Sequence, residues 1–304
     1  MFSRQYSSLS VFSLAFEVKR LMKYVYNSQI LDARAMDWME ILRECSQKMR
    51  RAALRVYGSP KAAVGFGIGA GGDTSKRIDL AAEKALIDCL NKYEISCTLV
   101  SEEAGIKKVG FGSSEFYVTT DPVDGTTNAI RGIPFSANII AVSKSPWLKD
   151  VEAAIVTNIM HGITYTAQKN KGAFKNAKII KSSQISDLRE ALIGVDLNTF
   201  KIEELVTKLE GLFKIGKHFR HFGANALDIC YVADGSTDAF IDIRGKLRVT
   251  DIAASYLILR EAGGIMVSPE GKELDIPLAP TQQLSLIAAA NKKMYEAIKK
   301  TLNG

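Results

Sequence analysis

Phe116-Tyr117-Val118-Thr119-Thr120-Asp121-Pro122-Val123-Asp124-Gly125-Thr126-Thr127-Asn128 is the most informative run in the chain. Its aromatic and β-branched opening, 116–120, predicts a strand. The strand runs into two carboxylates three residues apart, Asp121 and Asp124. Pro122 stiffens the exit and Gly125 permits a sharp turn. Two acids are thereby held close together, and close carboxylates repel unless a proton or a cation lies between them. Ligation by carboxylates, a carbonyl and a hydroxyl suits a hard cation, Mg2+ before Ca2+ or Mn2+. An ordinary turn is the competing reading, because Asp-Gly is also a hairpin signal.

Other acids fall at similar places. Glu102 and Glu103 follow the β-like run 98–101. Asp251 opens a predicted helix over 250–262, where the helix dipole favours an anion. Asp73 and Asp79 flank the entry to another predicted helix, 79–93. Each has a plain reading alone, as a helix cap or a solvated surface acid. Their joint occurrence at strand ends and helix starts points to one acidic centre.

The periodicity organises the rest. Trp38, Ile41, Leu42, Cys45, Met49, Ala52, Ala53 and Val56 recur at helical spacing, and Gly58 stops them. After the helix over 79–93 come β-like runs at 98–101, 116–120, 137–143, 153–158 and 163–167, read as an antiparallel meander with a turn at 169–172. Beyond about residue 185, helices and strands alternate: strands at 192–196, 238–243, 265–267 and 286–289, and helices at 202–213, 226–232, 250–262 and 292–302. The pattern implies an α/β (α+β) chain with a subdomain over 36–184, which carries most of the candidate ligands, and another over 185–304. Residues 1–35 read as an N-terminal extension of uncertain role.

The 304 residues suffice for a substantial core, with 47% hydrophobic and 24% charged residues. The net charge of +7, from 40 basic against 33 acidic residues, would help draw in an anionic substrate, but a solvated Lys-rich surface is the plainer reading. No dense basic block with interleaved aromatics is present, which argues against a nucleic-acid face. No apolar run approaches the roughly 20 residues of a membrane span, and 9–16 make a poor signal peptide. The four cysteines lack C-x-x-C spacing, and with only three histidines zinc is poorly supported; reduced thiols in a cytoplasmic protein are expected. Gly67-Ile68-Gly69-Ala70-Gly71-Gly72 satisfies G-x-G-x-x-G, but the residues before it make a poor strand, so a loop is expected and not a dinucleotide site.

Asp121 to Asn128, with Ser101-Glu102-Glu103 before it and Thr250-Asp251-Ile252-Ala253-Ala254 after it, resembles the inositol monophosphatase family, within the Mg2+-dependent, lithium-sensitive phosphatases. Lys171-Gly172-Ala173-Phe174, Gly223-Ala224-Asn225-Ala226 and Glu261-Ala262-Gly263-Gly264 extend the match over 36–304, nearest to archaeal members. The resemblance implies a layered α-β-α-β-α sandwich of the sugar phosphatase type, usually a homodimer. It also implies two or three Mg2+ ions. Glu102, Asp121 and the Val123 carbonyl would hold the first, and Asp121, Asp124 and Asp251 the second. Asp79 would stand near a looser third ion and the attacking water, with Asp73 in the same loop. Thr126 would orient that water, and Gly125 and Thr126 would offer backbone N–H groups to phosphate.

By the same resemblance, the substrate is a small phosphorylated polyol or sugar. Asp242 is the nearest equivalent of an acid that contacts a sugar hydroxyl, and Asn225 occupies a small-residue position. Arg244, Lys246 and Arg248 resemble archaeal relatives that also hydrolyse fructose 1,6-bisphosphate, where arginines could grip a second phosphate; a solvated loop is the alternative. myo-Inositol 1-phosphate, fructose 1,6-bisphosphate and 3′-phosphoadenosine 5′-phosphate stand in that order. A metal-binding regulatory protein without turnover is the non-enzymatic alternative.

Overall fold

A computed structural model describes residues 37–302, so the extension over 1–35 lies outside the described residues. Contacts divide the chain into Met1–Trp38 and Met39–Gly304. The second unit is layered. Helices α1 (Trp38–Leu54) and α2 (Arg77–Lys92) form its first layer. Ile78, Ala82, Leu86 and Leu90 are buried along one stripe of α2, the amphipathic pattern that drives a surface helix onto a sheet. On α1, the buried Ser46 hydroxyl lies 2.7 Å from Asn138 Oδ1 and 2.6 Å from Thr157 Oγ1, which ties the helix to the sheet beneath it.

That sheet has eight strands in the order β10-β9-β8-β7-β6-β5-β3-β4. In chain order they are β3 (Cys97–Ser101), β4 (Gly105–Val109), β5 (Phe116–Asp124), β6 (Ala137–Ser143), β7 (Val151–Asn158), β8 (Thr164–Gln168), β9 (Ala173–Lys175) and β10 (Lys178–Ile180). From β5 to β10 they form an antiparallel meander, whereas β3 and β5 run parallel, with Ser101 opposite Thr120. The expected strand ending at Thr120 continues to Asp124. Its register shifts between Asp121 and Asp124 against Ile139 and Ala137. This irregularity turns the acids out of the regular pleat.

A short helix α3 (Thr126–Arg131) follows at once. Gly125 takes φ +79°, and an added Cβ would come within 3.0 Å of the Gly223 carbonyl oxygen. Only glycine accepts both the left-handed backbone and that approach.

A second sheet has the order β12-β11-β13-β15-β14. Its strands are β11 (Leu192–Val195), β12 (His218–Arg220), β13 (Ala239–Arg248), β14 (Ile265–Val267) and β15 (Gln283–Ala289). Helices α4 (Ile202–Ile215) and α7 (Lys292–Leu302) cover its outer face, where Leu205, Leu209, Met294 and Ile298 join one apolar cluster. Helices α5 (Asn225–Ala233) and α6 (Val249–Glu261) share the other large cluster with residues of both sheets. Reading Ile252, Tyr256 and Leu259 as one apolar side of α6 understates it: every residue from Val249 to Leu259 is buried. A helix between two sheets has no solvent face and need not be amphipathic.

The glycine-rich run belongs to a hairpin of β1 (Gly65–Ile68) and β2 (Thr74–Lys76). Gly69 N–H donates to Asp73 C=O (2.8 Å), Ala70 N–H to Glu103 C=O (3.1 Å) and Gly71 N–H to Glu102 C=O (2.8 Å). An antiparallel hairpin sewn to another turn is not the strand-to-helix crossover of a dinucleotide site.

Candidate active site

The acids converge because each ends or begins an element aimed at the same place. Glu102 leaves β3 in a turn anchored by Glu83, which accepts from Ser101 Oγ and from Ala104 N–H (3.1 Å). Asp121 Oδ1 accepts from Val123 N–H at 2.9 Å, so the bulged strand orients its own carboxylate. Asp251 stands in the first turn of α6, where its Oδ2 accepts from Arg248 N–H (3.1 Å) and its Oδ1 from Thr250 Oγ1 (3.2 Å). One oxygen from each of Glu102, Asp121 and Asp251 lies within 4.8 Å of the others.

Asp124 stands outside that trio. Its two oxygens accept from Asn225 N–H (3.1 Å) and Ala226 N–H (2.7 Å) at the start of α5, clamping β5 to the middle layer. Asp79, in the first turn of α2, lies beside Thr126: Thr126 Oγ1 is 3.1 Å from Asp79 Oδ1 and 2.8 Å from the Val123 carbonyl oxygen. A hydroxyl has one proton and can donate to only one of these at a time.

Crowding raises the acids. Burial pushes Asp121 well above the usual carboxylate range, reinforced by Asp251 and Asp124. Burial and Asp251 do the same to Asp124. Glu102 rises through burial and the charges of Asp121 and Asp251, with Arg248 opposing. Asp79 is pushed up to about 7, first by burial and then by Glu103. With two buried acids and one half-buried, oxygen-only and crowded, the trio has the donor chemistry of a hard divalent cation site.

These groups line an open cavity of about 1010 Å3, as do all the site residues expected from the sequence except Asp242. Asp242 is fully buried behind Arg244, whose Nε and Nη2 lie 2.9 Å and 2.5 Å from its two oxygens. Of the three basic residues, Arg244 and Arg248 are both committed to carboxylates. Arg248 reaches Glu102 (2.6 Å) and Asp73 (2.9 Å); only Lys246 is exposed. Sequence reasoning missed Asp196, Asn198, His221 and Phe222, which also line the cavity. Asp196 closes the run 192–196 as Asp121 follows the run 116–120 in the sequence, and the same logic applied there would have found it.

The family model of the inositol monophosphatases matches residues 38–303. The chain belongs to the inositol monophosphatase family. A fructose-1,6-bisphosphatase/inositol-1-monophosphatase of Methanothermobacter thermautotrophicus is 35% identical over 273 residues, covering 87% of this chain and 96% of that one. A bifunctional NADP phosphatase/NAD kinase of Methanococcus maripaludis is 34% identical over 280 residues, 86% of this chain. The chain spans 49% of that relative's length. Among solved structures, an inositol monophosphatase-fructose 1,6 bisphosphatase superposes with a TM-score of 0.77 at 32% identity, covering 88% of this chain and all of that one. The layered architecture is therefore that of the inositol monophosphatase family. In this member, the trio Glu102, Asp121 and Asp251 brings the eight-stranded sheet and helix α6 together in the cavity's lining.

Proposed function

We propose that this protein is a Mg2+-dependent phosphate monoester hydrolase, with myo-inositol 1-phosphate as its first substrate. The observation that carries this reading is the clustered trio Glu102, Asp121 and Asp251 beside the Asp79–Thr126 pair. Glu102, Asp121 and the Val123 carbonyl would hold one ion, and Asp121, Asp124 and Asp251 another. Bound cations supply neutralisation of the phosphate, a lowered pKa for water and stabilisation of the departing alkoxide.

The chain's own groups do the rest. Asp79, raised by burial and Glu103 in the metal-free site, is a carboxylate placed beside Thr126 to take a proton from water. Thr126 stands between Asp79 and the Val123 carbonyl and orients that water. Gly125 and Thr126 direct backbone N–H groups toward phosphate, and Asn225 borders the leaving group. No covalent nucleophile is required. Restriction to in-line displacement follows from fixing the phosphate and water on one rigid frame.

A second reading, hydrolysis of larger esters such as fructose 1,6-bisphosphate or NADP, is favoured by the size of the cavity, at the upper end of ordinary ligand sites. The names of the archaeal relatives accord with it. We also assign 36–184 and 185–304 as cooperating subdomains, and the protein to the cytoplasm as a homodimer. Four buried free cysteines support a reducing compartment. Among the described residues no helix is long and apolar enough to cross a membrane. Light scattering tests the dimer. The deciding assay is phosphate release from myo-inositol 1-phosphate, fructose 1,6-bisphosphate and NADP, each with Mg2+ and with EDTA. Release that EDTA does not abolish would refute the metal-dependent mechanism, and no release from any ester would refute the activity.

A further inference from the structure

The resemblance leaves Arg244 as either a grip for a second phosphate or part of a solvated loop, and the structure gives it another occupation. Its side chain is 8% exposed and lies between two buried carboxylates, with Nη2 2.7 Å from Asp196 Oδ2 and 2.5 Å from Asp242 Oδ2. Nε lies 2.9 Å from Asp242 Oδ1, and Nη1 donates to the Asn198 carbonyl at 2.9 Å. All three guanidinium nitrogens are engaged. Two carboxylates share this one guanidinium, so it is not free to grip a second phosphate.

The two acids are not equivalent. Asp242 is sealed and absent from the cavity lining; Asp196 is part of it. Asp196 continues β11, with its N–H bonded to the Ile241 carbonyl (3.0 Å), and its Oδ1 accepts from Asn198 N–H (2.8 Å). Arg244 holds the other oxygen. An ionised carboxylate offers about four acceptor positions, and these contacts use two. Asp196 is thus a fixed acceptor with capacity left in the wall of the cavity.

We propose that Asp196 is the specificity-determining residue of the leaving-group side, accepting a hydrogen bond from a hydroxyl of the polyol, and that Arg244 is its positioning residue. The assignment rests on the hydrolase reading above and moves the hydroxyl contact from Asp242 to Asp196. A polyol hydroxyl meets a charged, immobilised acceptor, and an aryl leaving group with no hydroxyl gains nothing from it. Such an acceptor discriminates strongly because it is left unpaired by the wrong ligand.

The test is D196N, nearly isosteric, assayed on myo-inositol 1-phosphate and p-nitrophenyl phosphate in Mg2+. The ratio of kcat/KM for the polyol ester to that for the aryl ester is expected to fall about 10- to 100-fold, mainly through KM, as for a lost hydrogen bond to a charged group. R244Q, which loosens Asp196, should lower the same ratio by a smaller factor, and D196E should restore part of it. General damage to the fold lowers both rates and leaves the ratio in place. A D196N ratio within about twofold of wild type, where wild type cleaves both esters, overturns this assignment alone. A wild type that cleaves the aryl ester and no polyol phosphate overturns the polyol reading and this assignment together.

Discussion

The Arg248 guanidinium lies 2.6 Å from Glu102, Nη2 to Oε1, while its Nη1 is 2.9 Å from Asp73 Oδ2 on the hairpin loop. One side chain therefore supplies positive charge to the acid trio and tethers the loop that borders it. Its Nε, 3.6 Å from Asp251 Oδ1, adds attraction without a hydrogen bond. Removing the guanidinium in R248Q leaves Glu102 and Asp251 less compensated. In EDTA, the variant should be less stable by about 2–3 kcal/mol, the scale of an uncompensated, largely buried charge. The stabilisation gained on adding Mg2+ should grow, since the ion no longer competes with a fixed positive group. Thermal melts with and without Mg2+ decide it, and an unchanged metal-free melting temperature would reject the role.

Asp121 and Asp124 are three residues apart yet should fail differently. Asp121 accepts one local N–H and otherwise faces the trio. D121N should fold and lose at least about two orders of magnitude in kcat, as removal of a main electrostatic stabiliser commonly does. D251N should do the same. Asp124 accepts from two N–H groups of α5. In D124N an amide NH2 must face one of them, at a cost of about 1–3 kcal/mol. D124N should therefore lose stability as well as rate. A D124N protein with wild-type kcat at saturating Mg2+ would refute the proposal that Asp124 holds an ion.

How legible all this was in the sequence depended on range. Asp121, Asp124, Glu102 and Asp251 could be found because local signals, a strand end or a helix start, place each of them. The run through Asp124 was underestimated because Pro122 and the acids lower strand propensity, whereas pairing with β6 is a tertiary contact. Gly105–Val109 and the three-residue strands β9, β10 and β12 lie at or near sheet edges, where polar sequence is tolerated and periodicity is weak. The partnership of Asp196 with Arg244 and Asp242 joins residues about fifty positions apart, which no local pattern reveals. The all-round burial of α6 follows from enclosure between sheets and not from its own period.

The acid cluster also fixes a pH dependence of metal-free stability. Asp79 is raised from 3.8 to about 7 by burial and then by Glu103, so the folded state holds its proton more tightly than the unfolded chain. The associated stability is full below the unfolded value and is lost as pH rises through about 7. Asp121, Asp124 and Glu102 shift the same way. In EDTA the melting temperature should fall as pH rises from about 4 toward and beyond about 7, opposite to a protein dominated by salt-bridged acids. Saturating Mg2+ should flatten or reverse that slope, because ligated carboxylates no longer need protons. A metal-free melting temperature that rises across this window would contradict the assigned electrostatics.

Gly125 separates strain from chemistry. It adopts φ +79°, and a Cβ there would lie 2.9 Å from Ala224 Cβ, 3.0 Å from Gly223 O and 3.1 Å from Phe135 O. Two of these are backbone atoms and cannot move aside as a side-chain tip can. G125A should cost about 1–3 kcal/mol from the left-handed backbone alone, and more from the contacts. The same shift separates β5 from α5, whose N–H groups hold Asp124, and displaces Thr126 from Asp79. Activity should therefore fall further than the unfolded fraction explains. Measuring kcat well below the melting temperature, alongside the folded fraction by circular dichroism, tests this directly. Full activity per folded molecule would mean that the turn serves stability only and that Thr126 can be misplaced without consequence.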